Sequence, residues 1–149
     1  MPELPPASPS AASRPVVMDT NVLYAGLYSA SGRSHQVLRA VAAGRLRLVL
    51  STPLLFEYED VLRRHQAVLA LSDDEISAVL DNLCAQASFQ PVYFLWRPCL
   101  PDAKDDMVLE LAVAAGGVPI VTFNARDFGP AARFGVNVIS PKTLLENLP

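Results

Sequence analysis

The sequence is poor in the residues that build soft-metal or disulfide sites. Its 149 residues include two cysteines, Cys84 and Cys99, and two histidines. The cysteines lack metal-ligand spacing and follow no secretory signal, so they read as reduced thiols of a cytoplasmic protein. No run approaches the ~20 apolar residues that cross a bilayer, which sets a helical membrane protein aside. An excess of positive charge is missing too: 12 basic against 15 acidic side chains leave a formal charge of −3. That balance argues against a generally basic nucleic-acid binder, but not against a local basic patch over an acidic site. Most of the basic residues are Arg, the better bidentate partner for phosphate. There is no internal repeat and no second-domain boundary.

What is present is a chain that is 51% hydrophobic, enough for the core of one domain. Residues 1–14, MPELPPASPSAASR, are rich in Pro, Ser and Ala and read as a disordered leader. Residues 15–149 read as the folded domain.

That domain is organised around PVVMDTNVLYAGL, Pro15 to Leu27. Val16, Val17 and Met18 form an apolar run that stops at Asp19, Thr20 and Asn21, the pattern of a buried parallel strand entering a turn or helix. In open α/β sheets, ligands bind outside the carboxyl ends of strands. Asp19 is therefore either a carboxylate delivered to a crevice or the N-cap of a helix around Val22–Leu27; this segment alone does not separate the two.

Downstream, Ser34 can cap a helix carrying Val37, Leu38 and Val41 and closed by Gly44. Leu46–Leu50 reads as a strand. Thr52, with Pro53 at the first helical position, opens a helix whose stripe is Leu54, Leu55, Tyr58, Val61 and Leu62. Ser72 and Glu75 make a capping box, with Leu71 and Ile76 as its staple. Pro91–Leu95 reads as a third strand. A helix from about Asp105 to Ala115, closed by Gly116 and Gly117, leads into strands at Val118–Val121 and Asn137–Ile139, and Ser140-Pro141 opens a last helix. This alternation predicts an α/β fold, a three-layer α/β/α arrangement around a central parallel, five-stranded sheet.

Acids recur just past the strand ends. Glu57 and Glu59 lie on opposite flanks of their helix stripe, so periodicity does not choose between them. Glu57 is nearer the helix N-terminus by roughly 3 Å, which favours it. In PDAKDDMVLELA, Asp105 shares a face with Val108 and Ala112, whereas Asp106 points roughly 100° away and reads as a solvated acid favoured by the helix dipole. Asp102 is a helix cap or an outer acid. Thr122, Asn124 and Asp127 follow the fourth strand, where residues of these types also suit a turn. Gathered carboxylates repel unless a counter-charge joins them. A hard divalent cation, Mg²⁺ or Mn²⁺, takes oxygen ligands and leaves room for phosphate. That chemistry suits phosphodiester hydrolysis by a metal-activated water.

The order VVMDTNVL, STPLLFEYEDVL, DAKDDMVLELAVAAG, IVTFNARDF and VISPKTLL resembles the PIN-domain family, most of all the toxin components related to VapC-type ribonucleases. The resemblance runs from about Val16 to Leu145. It implies a PIN-like five-stranded parallel sheet and a Mg²⁺- or Mn²⁺-dependent ribonuclease acting on RNA. The family's acids match Asp19, Glu57 and Asp105 as catalytic metal ligands. The fourth motif often carries an acid two residues after its threonine; here that position is Asn124, and the available acid is Asp127, as in members reading T-x-N-x-x-D-F. Asn21 and Thr122 match polar residues lining the site. Homodimers and a cognate antitoxin lying across the site are also implied, with no membrane partner. Two other readings compete: a haloacid-dehalogenase-like phosphohydrolase, which wants an acid where Asn21 stands, and an inactive PIN-like binding module, against which the retained acids argue.

Overall fold

The structure, a computed structural model, describes residues 13–92, 100 and 102–148. Arg14–Met18 (β1) is a strand whose Val16, Val17 and Met18 are all fully buried, as expected where both faces of a sheet are covered. It is joined by β2 (Leu46–Leu50), β3 (Ser88–Phe89), β4 (Ile120–Val121) and β5 (Val138–Ile139) in one five-stranded sheet. The order is β3-β2-β1-β4-β5 and every pairing is parallel. Val16 pairs with Leu48 on one side, while Val17 and Met18 pair with Ile120 and Val121 on the other. The α/β class and the parallel five-stranded sheet are thus as the strand–helix alternation predicts.

The helices are α1 (Thr20–Tyr28), α2 (Arg33–Ala42), α3 (Thr52–Arg64), α4 (Gln66–Leu69), α5 (Asp73–Gln86), α6 (Ala103–Ala114) and α7 (Pro141–Glu146), with a 3₁₀ stretch at Ala125–Phe134. Helix α6 packs along β1, β2 and β4, while α2 and α5 pack against β2. On α6, Val108, Leu109, Leu111 and Ala112 are buried, each full-sized side chain contributing roughly 1.5–3 kcal/mol by leaving water.

Several local expectations shift. The third strand of the sheet is Ser88–Phe89, ahead of the expected Pro91–Leu95: Val49 and Leu50 pair with Ser88 and Phe89, and Gln90 N–H donates to Leu50 O at 2.8 Å. Pro91 and Val92 follow the strand; residues 93–95 lie outside the described ones. The cap of α3 is Ser51, whose Oγ accepts from Leu54 N–H at 3.3 Å, and Thr52 is the first helical residue. Ser34 lies buried inside α2, which Gly32 caps. The capping box at Ser72 and Glu75 forms as expected, and Gly116 and Gly117 take the left-handed conformation that ends α6. Arg14, within the expected leader, belongs to β1; residues 1–12 of that leader lie outside the described ones.

Helices α1 and α2 meet at Gly26. A Cβ there would stand 2.6 Å from Leu38 Cδ1 and 3.0 Å from Ser34 O. Gly26→Ala is therefore expected to destabilise by about 1–3 kcal/mol, an overpacking effect that outweighs alanine's better helix propensity. Urea unfolding would show it as a lower midpoint; an unchanged midpoint would mean that α2 moves aside at no cost.

Candidate active site

The sheet order reverses between β1 and β4, the place where an open α/β sheet forms its crevice. Because Met18 is in register with Val121, the next residues, Asp19 and Thr122, come out side by side. Asp19 N–H donates to Val121 O at 3.0 Å. The Thr122 hydroxyl donates to Asp19 Oδ2 at 2.7 Å, and Asp19 Oδ1 accepts from Thr20 N–H at 2.8 Å as the cap of α1. The two readings of Asp19 are thus compatible: one oxygen caps the helix while the other faces β4. Asn21 Nδ2 donates to Thr122 Oγ1 at 3.3 Å, and Asn124 N–H donates to the same oxygen at 3.0 Å.

Beneath them the Tyr58 hydroxyl of α3 donates to Met18 O. Stripe periodicity makes Tyr58 an ordinary core residue and overlooks this bond. The available signal is the residue type, since a buried Tyr hydroxyl requires a partner where Phe would not. The bond ties α3 to the residue before Asp19.

Two further elements bring acids to the crevice. Asp102 caps α6, its Oδ1 accepting from Lys104 N–H at 2.9 Å, and Asp105 lies in the first turn. Asp127 lies in the first turn of the 3₁₀ stretch, where its N–H donates to Asn124 O at 3.0 Å. Burial raises the pKa of Asp19, against the opposing bonds from Thr122 and Thr20, and the charges of Asp127 and Asp102 add to the rise. Asp105 is pushed up to about 7, first by burial and then by the charges of Asp19, Asp102, Asp127 and Asp106. Carboxylates from β1, α6 and the 3₁₀ stretch therefore act on one another.

Glu57 is placed differently. It is held by Lys104 of α6, Nζ to Oε1 3.5 Å, with its side chain 16% exposed. Glu59 turns away to Arg63, at 3.2 Å. Glu57 thus faces α6, but it is not among the charges that shift Asp19 or Asp105. Among the described residues no three His, Cys, Asp or Glu side chains are close enough together to hold an ion. The donors are nonetheless all oxygen and mutually repulsive, which fits Mg²⁺ or Mn²⁺; closing them on one ion takes side-chain movement.

Asp106 departs from expectation. It is buried, at 1% exposure, and its Oδ1 accepts from Leu100 N–H at 2.9 Å. Helix periodicity turned it toward solvent, but α6 is covered on more than one side and also buries Glu110. A stripe rule assumes a single covered face.

A model of the PIN domain matches residues 15–126, from β1 to the residue before Asp127. No curated protein matches. Among solved structures, a chain of VapBC2 from Rickettsia felis, bound to a DNA fragment from its promoter, is similar in fold. The TM-score is 0.59 at 12% identity, covering 85% of this chain and 98% of that one. Identity that low speaks for the fold alone. The domain match, by contrast, takes in well over half of the sequence and every strand end that carries an acid except the last, and the chain belongs to the PIN-domain family.

Proposed function

We propose that the protein is a Mg²⁺- or Mn²⁺-dependent endoribonuclease and the toxin of a type II toxin–antitoxin pair. PIN domains are typically nucleases, enzymes that hydrolyse phosphodiester bonds. The observation that carries the reading is the set of carboxylates that β1, α6 and the 3₁₀ stretch bring to the β1–β4 crevice, where burial first and then the charges of Asp19, Asp102, Asp127 and Asp106 raise Asp105 to about 7. Asp19, Asp105, Asp127 and Glu57 would hold the metal. When bound, it would supply an activated water and offset charge at the scissile phosphate. Thr122 and the Thr20 amide fix both oxygens of Asp19, Asn21 fixes Thr122, and Tyr58 fixes the backbone before Asp19. With its pKa raised to about 7, Asp105 would give up its proton as a cation arrives.

The purified protein is expected to cleave RNA with Mn²⁺ or Mg²⁺ and to stop when EDTA removes the ion. The rate should climb with pH through about 7, as Asp105 gives up the proton that competes with the metal. RNA cleavage in excess EDTA at the same rate would sink the reading.

The likeness to VapBC2 supports the partner side of the proposal. A small antitoxin would cover the crevice with a basic side chain, and the nuclease would act in the cytoplasm as a homodimer. No helix among the described residues is long and apolar enough to cross a membrane. Expression without the partner should slow growth. Harmless overexpression of active enzyme would point to RNA processing instead.

A further inference from the structure

Phe123 directly follows Thr122 at the mouth of the acid crevice and is 52% exposed. Its backbone is fixed on both sides. Thr122 N–H donates to Ile139 O at 3.0 Å, Asn124 N–H donates to Thr122 Oγ1 at 3.0 Å, and Phe123 N–H faces Asn21 Oδ1 at 3.5 Å. The residues that orient Asp19 therefore also fix the backbone from which this ring projects. Phe123, Asn124, Ala125, Arg126 and Asp127 line an open hollow of about 540 Å³, within the roughly 300–1,000 Å³ usual for ligand sites. Arg126 is exposed and joins no ion pair among the described residues. One hollow thus combines an aromatic face, a guanidinium and an acid that itself acts on Asp105. A hydrocarbon ring held in water beside a hydrolytic centre suits a flat, weakly hydrated partner, and every nucleobase offers one.

We infer that Phe123 and Arg126 form a nucleotide subsite of the cleavage centre: the ring stacks on an unpaired base next to the scissile bond, and Arg126 pairs with a neighbouring phosphate. The inference rests on the ribonuclease reading and adds to it two residues that would hold the substrate. A duplex already stacks both faces of its bases, so the subsite selects single-stranded RNA. Stacking tolerates any base, so sequence preference at this position is weak.

The test measures Mn²⁺-dependent cleavage of a single-stranded oligoribonucleotide by wild type, Phe123→Ala, Phe123→Leu and Phe123→Trp. Phe123→Ala and Phe123→Leu should raise KM about 5- to 150-fold, as losing one base stack does, with the loss in KM rather than kcat. Phe123→Trp, which keeps a π-face, should restore KM. An abasic residue moved along the oligonucleotide should raise the wild-type KM at one position and leave that of Phe123→Ala unmoved there. Arg126→Ala should flatten the slope of log affinity against log salt by about 0.7, one phosphate's share on a single strand. A wild-type KM for Phe123→Ala overturns the subsite and leaves the ribonuclease standing, as does Phe123→Leu performing as well as Phe123→Trp. If Phe123→Ala cuts RNA normally but escapes inhibition by a partner protein, the ring is a protein contact and the subsite is wrong. If wild type cuts no RNA with Mn²⁺, the ribonuclease reading fails and the subsite with it.

Discussion

Asp19→Asn is expected to reduce metal-dependent RNA cleavage by about 100- to 1,000-fold, the range seen when one group aimed at a reaction centre is removed, while the fold survives. Both halves follow from the two bonds of this side chain. The amide oxygen can keep accepting from Thr20 N–H, since Asn caps helices as well as Asp does. The amide nitrogen then faces Thr122 Oγ1, which already accepts from Asn124 N–H and Asn21 Nδ2, so the longer bond from Asn21 gives way to it. What disappears is the negative charge, and burial and the neighbouring acids already disfavour that charge in the metal-free protein. Metal-free stability should therefore stay level or rise. Asp19→Ala, which also removes the cap, should instead lose about 0.5–2 kcal/mol. Single-turnover cleavage at saturating Mn²⁺, paired with thermal melting, reads both effects. A folded Asp19→Asn protein that cuts at the wild-type rate would show that Asp19 holds no metal.

The neighbouring acids of α6 should respond in opposite directions. Folded protein keeps a proton on Asp105 up to about pH 7, whereas the carboxyl would ordinarily release it near 3.8. The stability linked to that proton is complete below about pH 4 and is lost as pH climbs to 7. Asp105→Asn should accordingly melt higher than wild type at pH 8 without metal and little differently at pH 4. It should also forfeit most of the stabilisation that Mn²⁺ gives by mass action, along with cleavage. Asp106→Ala should do the reverse and destabilise by about 1–3 kcal/mol, because Leu100 N–H would be left buried without its acceptor. Asp106→Asn, which keeps an amide oxygen for that N–H, should be milder. Melting curves of the three variants at both pH values decide it. A fully stable Asp106→Ala would mean that Asp106 does not hold the Leu100 segment.

How much could be read in the sequence depended on how local the cause was. The apolar runs before Asp19 and at Leu46–Leu50, the capping box at Ser72 and the paired glycines after α6 are set by neighbouring residues, and each formed where its local pattern put it. Pattern also delivered Asp19 and Thr122 to strand ends, although only the register of β1 with β4 makes them neighbours. Asp106 was misread because the number of covered faces on α6 is a tertiary fact. The third strand lies ahead of the apolar run that begins at Pro91, because the pairing of Ser88 and Phe89 with β2 is set across the sheet and not by local hydrophobicity. Lys104 beside Glu57 and the Tyr58 bond to Met18 O join separate elements, and nothing periodic announces either.

The strand order has a consequence for synthesis. β1 gains β2 early but receives β4 only after most of the chain is made, and the residues bonded at the crevice, Asp19 and Thr122, are 103 positions apart. At roughly 5–20 residues per second, the ribosome leaves one flank of β1 unpaired for about 5–20 s. During that interval Asp19 has neither Thr122 nor Asp127 beside it. A nascent or truncated chain consequently lacks the assembled acid crevice and carries an open strand edge, prone to pair with other chains. On the ribonuclease reading proposed above, a chain that stops short of β4 is expected to lack cleavage activity and to aggregate through that edge.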